Sequence, residues 1–204
     1  MNALLLDLLV DNFFLAMSLW LALMVSDNLL SFWSVKLYRQ GAKDHMVLED
    51  GSEINIFFRD DVVHQRIFSP FFVFVISITY LMAWLVWSYS LYSAPGKGIF
   101  EFFLGLIILI HLPLHLRHAR NLLSFHYLRL SHGVEGRIKF ASWLTARLTV
   151  ITLLSASLVY IALFFFSQRV FFLGGALSCA MLAYGQWNKG DYLPKERGEY
   201  QDHG

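Results

Sequence analysis

Apolar residues run along this chain in five long blocks, at 13–36, 68–92, 99–116, 141–166 and 170–187, separated by stretches where charged and turn-forming residues gather. Each block approaches the roughly 20 residues that a helix needs to cross a hydrocarbon core. Hydrocarbon offers no water to a backbone N–H or C=O, so such blocks form helices that satisfy their own polar groups. The pattern predicts an all-α integral membrane protein with about five transmembrane helices joined by short interfacial or cytoplasmic connections. Residues 1–187 then form a single polytopic domain and 188–204 a polar tail.

The start of the first helix has more than one solution. Residues 3–24 are also apolar enough to span, and the two windows can merge into one long tilted helix. The expectation is the later window, with Asp7 and Asp11, one turn apart on a common face, in a wet extension outside the bilayer.

Three blocks carry ionisable residues, and these are the candidate chemistry. Asp27 lies in the first block, His111 and His115 in the third, and Arg147 in the fourth. Such groups are costly in hydrocarbon unless they face protein or water. At about 100° per residue, Glu101, Gly105, Ile108, His111, His115 and His118 fall within an arc of roughly 140° on the third helix. The reading is one face that is polar along its length, with Arg117 and Arg120 pointing away from it. Pro113, between two of the histidines, frees a carbonyl that must find a partner on a neighbouring helix, a side chain or water. Counted from the basic ends of their helices, Asp27, His115 and Arg147 lie at similar depth, so Asp27 is expected to pair with His111, His115 or Arg147. Ser31 and Ser34 share its face.

Composition narrows what these residues can do. The chain is 57% hydrophobic and 15% charged, against about 25% charged for soluble domains. That excludes a water-soluble core, and five spans in 204 residues leave no room for a second ordinary domain. Sixteen Lys and Arg against fifteen Asp and Glu make no basic stripe, which excludes nucleic acid as a partner. Cys179 is the only cysteine, so neither an intrachain disulfide nor a cysteine metal site can form. The opening residues lack a positively charged leader region, and the first block is expected to stay as an anchor.

Charge also predicts orientation. Lys36, Arg39, Lys43, Arg59 and Arg66 fall in one long connection and Arg117, Arg120, Arg129, Arg137 and Lys139 in another, whereas the turns 93–98 and 167–169 hold only Lys97 and Arg169. Basic loops stay in the cytoplasm. The expected topology therefore has the N-terminus outside and the C-terminus cytoplasmic, in a bacterial cytoplasmic membrane. Within the first connection, Asp50-Gly51 between apolar flanks at 47–54 reads as a hairpin, and 56–67 as a helix lying on the membrane surface. The third helix extends past the bilayer to about residue 128, with a turn-rich stop at 131–136. Arg117, Arg120 and Arg129 on this overhang are expected to contact anionic lipid headgroups.

Small residues at Gly174, Gly175, Ala176, Ser178, Cys179 and Ala180 let the fifth helix approach a neighbour closely. The fourth helix, with Ser155-Ala156-Ser157, is the expected partner, and a subunit interface is the alternative. Phe164-Phe165-Phe166, Phe171-Phe172, Trp84, Trp87, Tyr89 and Tyr92 read as interfacial or lipid-facing aromatics.

Four readings of the polar cluster stand open: a structural buried pair, a path for protons or ions, a metal site of His111, His115 and His118 with a carboxylate, and a lipid- or quinone-handling pocket. The i, i+4 histidine spacing suits a metal, although no Glu accompanies it as in zinc proteases. Phosphate loops, nucleophile elbows and di-metal carboxylate repeats are absent from the sequence. The leading expectation is a small membrane protein without its own catalysis, homo-oligomeric or bound in a membrane complex, whose Asp/His element conducts protons or ions. The alternative is a metal- or lipid-dependent membrane enzyme using the histidine face. The expected partners are the bilayer and other membrane subunits or copies of the chain. No cofactor is expected, and a metal enters only through the histidine reading.

Overall fold

A computed structural model of the chain describes residues 3–48, 70–130, 138–140 and 142–189. Five helices among them are long and apolar enough to cross a membrane: Phe13–His45, Pro70–Ser90, Pro95–Arg129, Trp143–Ser167 and Val170–Asn188. They are the first to fifth spans, and they agree with the five apolar blocks.

Asn12 settles where the first span starts. Its side chain accepts a hydrogen bond from the Leu15 N–H at 3.1 Å, an N-cap that opens a new helix at Phe13 and separates it from the helix Ala3–Asp11. The later window is therefore the span. The short helix docks through Leu6, Leu9 and Val10, which are buried in the same apolar cluster as Phe13, Phe100 and Phe171. Phe13 contacts the rings of Tyr80, Trp87 and Phe100, with centroids 5.2 to 6.5 Å away. Trp87 thus packs inward, a correction to its reading as lipid-facing.

Pro113 shapes the third span as the missing N–H requires. The helix is interrupted after Ile108 and resumes at His111. The carbonyl that residue 113 would have engaged belongs to Leu109, and the Tyr160 hydroxyl of the fourth span donates to it at 2.9 Å. Tyr160→Phe is expected to lower stability by about 1 kcal/mol, read as a lower Tm in detergent. An unchanged Tm would mean that another group takes over that carbonyl.

The two halves of the third span serve different neighbours. Its first half, Ala94–Ile108, packs on the second and fifth spans, and its second half, His111–Arg129, packs on the first. Gly105 and Gly174 bring the third and fifth spans into backbone contact: a Cβ on Gly105 would meet the Phe171 carbonyl, and one on Gly174 the Phe102 carbonyl. Gly174 and Gly175 of the fifth span therefore face the third. The fifth span also packs along the fourth, where the Ala176 carbonyl accepts from the Ser157 hydroxyl at 2.9 Å. Phe171 and Phe172 are buried in this packing, not lipid-facing as their terminal position suggested, whereas Phe165 and Phe166 are exposed.

At the basic end of the bundle, where Lys36, Arg39, Arg120 and Arg129 gather, the first span passes into a wider turn, Tyr38–Ala42. Gly41 there has φ 145°, and Arg129 lies against it, so a side chain at 41 is disfavoured by both backbone and space. The Arg129 guanidinium donates to Gln40 Oε1 at 3.1 Å, giving it a protein partner beside the headgroups it was expected to contact. Met46–Leu48 and Ile138–Phe140 pair as a parallel two-stranded ladder, Met46 opposite Ile138. The first strand begins where a hairpin was expected, but its partner is distant in sequence. The rest of that hairpin, the surface helix 56–67, the stop at 131–136 and the tail after Lys189 lie outside the described residues.

Candidate functional site

The second half of the third span turns three histidines toward the first span, and Asp27 stands among them. Asp27 Oδ1 lies 3.3 Å from His118 Nε2 and 3.8 Å from His115 Nδ1, and Oδ2 lies 4.0 Å from His111 Nδ1. The i, i+4 and i, i+3 spacings put one imidazole per turn on this face, and the matching turn of the first span carries the carboxylate. His111 and His118 are buried, while the Asp27 and His115 side chains remain 19% and 23% exposed. Of the partners expected for Asp27, which were His111, His115 and Arg147, the two histidines lie within 4.0 Å of its carboxylate, and His118 lies nearer still.

Serines complete the cluster. His115 Nδ1–H donates to the His111 carbonyl at 2.7 Å, while its Nε2 lies 2.7 Å from the Ser26 hydroxyl. Ser26 also donates to the Leu23 carbonyl at 2.9 Å. One hydroxyl proton thus faces two acceptors, and either His115 Nε2 carries a lone pair beside Ser26 or it carries a proton that Ser26 accepts. His118 Nε2 meets the Ser31 hydroxyl at 3.1 Å and the Arg117 guanidinium at 3.3 Å. Protonated at Nε2, His118 donates to Asp27; deprotonated there, it accepts from Arg117. His111 Nδ1 is buried without a hydrogen-bond partner, and so is Ser34 Oγ. A single donor atom from each of Asp27, His111 and His115 lies within 4.8 Å of the other two.

Arg117 is therefore part of the cluster, which corrects its placement on the headgroup face. It reaches back because a long guanidinium stem can swing round the helix toward the adjacent His118. Arg120 is exposed, as a headgroup contact requires. Arg147 sets its guanidinium 3.4 Å from the centroid of the Trp187 ring, a cation–π contact joining the fourth and fifth spans at the basic end.

Glu101 is not part of this cluster, although it shares the helical arc. It lies ten residues, about 15 Å, up the third span, where Arg169 Nε donates to its Oε1 at 2.9 Å and the Phe171 N–H at 3.3 Å. Arg169 also donates to Asp7 at 2.7 Å, and Lys97 to Asp11 at 2.9 Å. Partial burial works against the Arg169 charge, and its hydrogen bonds to Asp7 and Glu101 outweigh that, so its pKa is raised. A raised value in the folded state adds stability that is present below the ordinary arginine range and lost only above it, so the clasp keeps its cation at every physiological pH. Asp7 and Asp11, the acidic residues before the first span, are exposed and tied down by Arg169 and Lys97. Between the two polar groups, Leu104, Ile107, Ile108, Met17 and Trp20 are buried. The face predicted to be polar throughout is two clusters with an apolar layer between them.

Arg169→Gln removes the cation from a half-buried Glu101. The expected loss is about 2 kcal/mol, between the values of exposed and buried ion pairs. A double-mutant cycle with Glu101→Gln on thermal stability checks it, and additive losses would show that the two side chains do not interact.

Sequence reasoning missed Ser26, Arg169 and Tyr160. Ser26 precedes Asp27, Arg169 is the only cation of its turn facing the acidic opening, and Tyr160 is a hydroxyl deep in an apolar block. Each signal was legible, but its partner lies on another helix.

The sequence matches no protein-family model, and neither a curated protein nor a solved structure is significantly similar to it. Fold and site define the class: a polytopic α-helical membrane protein with an Asp/His cluster inside its bundle.

Proposed function

We propose that this chain is a membrane subunit without its own catalysis, homo-oligomeric or held in a larger complex, in which Asp27 and its histidines form a cation site that conducts protons or ions. The observation that carries this reading is the Asp27 carboxylate among three imidazoles at 3.3 to 4.0 Å, with hydroxyls beside two of them. Carboxylates and imidazoles at membrane depth mark ion and proton pathways, and imidazole is the side chain suited to proton exchange near neutral pH. The alternative proton placements at His115 and His118 are what such exchange uses.

The apolar layer above His111 supports an assembly. Among the described residues the buried polar side chains of the first span and of the second half of the third stop there, and Asp27 and His115 keep an exposed edge. A complete path then needs a surface supplied by another chain. By the positive-inside rule the basic end faces the cytoplasm, which puts the N-terminus outside and the C-terminus inside a bacterial cytoplasmic membrane. The site loads from the cytoplasmic side.

Two measurements test this together. Light scattering of the detergent-solubilised protein is expected to give an oligomer. Proteoliposomes carrying a trapped pH dye are expected to show proton flux that Asp27→Asn largely abolishes. A monomer whose flux ignores Asp27 overturns the reading.

A further inference from the structure

We infer that Asp27, His111 and His115 bind one divalent transition-metal ion of the zinc class, an assignment that rests on the cation-site reading and names the cation. Three features of the cluster lead there. The first is spacing. The Asp27 carboxylate and His111 Nδ1 stand 4.0 Å apart, too long for a hydrogen bond, which runs at about 2.7–3.2 Å, and one donor atom from each of Asp27, His111 and His115 lies within 4.8 Å of the other two. Ligand atoms about 2.0–2.1 Å from a tetrahedral ion stand roughly 3.3 Å from one another. Closing the 4.0 Å separation by roughly 0.7 Å brings the carboxylate and the His111 nitrogen to that distance.

The second feature is the His111 ring. Its Nδ1 is buried and lacks a hydrogen-bond partner while aimed at the Asp27 carboxylate. A buried polar atom in that state indicates an ion or water that completes it. His115 offers a matching lone pair at Nε2 when its Nδ1–H donates to the His111 carbonyl, since Ser26 holds only one proton for Leu23 and for this nitrogen. A backbone carbonyl receiving the second N–H is the usual means of orienting a metal-bound imidazole.

The third feature is ligand chemistry. Two imidazoles and one carboxylate suit zinc, iron, cobalt or nickel, whereas calcium and magnesium prefer oxygen ligands throughout. Three protein ligands leave a coordination position open, which a cation site that loads and unloads requires. His118, a ligand in the sequence reading, becomes a positioning residue: with Ser31 it flanks Asp27 Oδ1 and fixes the carboxylate.

The probe is Co²⁺ added to chelator-stripped protein in detergent, followed by its visible absorption and by competition with Zn²⁺. One ion per chain is expected. Asp27→Asn and His111→Ala should weaken binding by about 100-fold or more and His118→Gln by about 10-fold, whereas Glu101→Gln leaves it unchanged. X-ray absorption on the zinc-loaded wild-type chain needs no variant, and is expected to show imidazole ligands with an oxygen donor. A spectrum without imidazole, or Co²⁺ binding indifferent to His111, overturns the assignment. If Co²⁺ fails to bind while Asp27-dependent proton flux persists, the metal falls and the conducting subunit stands. If Co²⁺ binds at one per chain and flux is absent, the metal site stands and the conducting reading falls.

Discussion

Gly105→Val is expected to keep the third and fifth spans from closing on each other, with a loss of about 3 kcal/mol or more. A Cβ at this position would overlap the Phe171 carbonyl and stand 2.9 Å from the Phe171 Cα. Overpacking costs about 1–3 kcal/mol when side chains can yield. Here the obstacle is backbone, which yields only if the helices part. On the other side of the contact, a Cβ on Gly174 would lie 2.7 Å from the Leu106 nitrogen, so the interface has no slack in either direction. Separation would also strip cover from Glu101, whose carboxylate accepts from the Phe171 N–H. Thermal unfolding in detergent, with size-exclusion profiles, measures the effect. Gly185→Val is the control, because nothing lies within 4 Å of its Cβ position. Equal melting of the two variants would show that the close approach is not what holds these spans.

Asp27→Ala carries the second large effect, an expected loss of about 2 to 3 kcal/mol. Removing one member of a buried charged group leaves its partners desolvated and unmatched, at about 3–5 kcal/mol when burial is complete. The 19% exposure of Asp27 puts it below that range. Asp27→Asn keeps the shape and is expected to cost less, which makes it the variant for transport and metal measurements. A cycle of Asp27→Ala with His118→Gln is expected to show coupling of about 1 kcal/mol, since the two side chains touch at 3.3 Å. Strict additivity would mean that the carboxylate and the imidazole do not stabilise each other, and the cluster would lose its physical basis.

The cluster was partly readable in advance because intramembrane charge is rare enough to stand out and because helical periodicity fixes which residues share a face. Asp27, His111, His115 and His118 were all identified that way. Arg117 was misplaced for the same reason: periodicity gives the direction of Cβ, while a guanidinium ends several bonds away and follows the nearest polar partner. Glu101 was grouped with the histidines because a straight helix would present them together. The interruption at Leu109 and Ile110 instead gives the two halves of that helix separate neighbours.

The sequence by itself determined the five helices long and apolar enough to cross a membrane, which ionisable groups they carry and the need for a partner at the carbonyl freed by Pro113. These follow from the thickness of hydrocarbon and the obligation of every backbone group to be bonded within it. Only the tertiary structure decided which helices meet: that Tyr160 takes the Leu109 carbonyl, that Arg169 binds Glu101 and Asp7, and that Gly174 and Gly175 face the third span. Lateral choice among apolar helices carries little hydrophobic signal, because lipid tails solvate them as well as another helix does. It is settled by the fit of small residues and the pairing of a few polar atoms across helices, which come into view only when the helices are together.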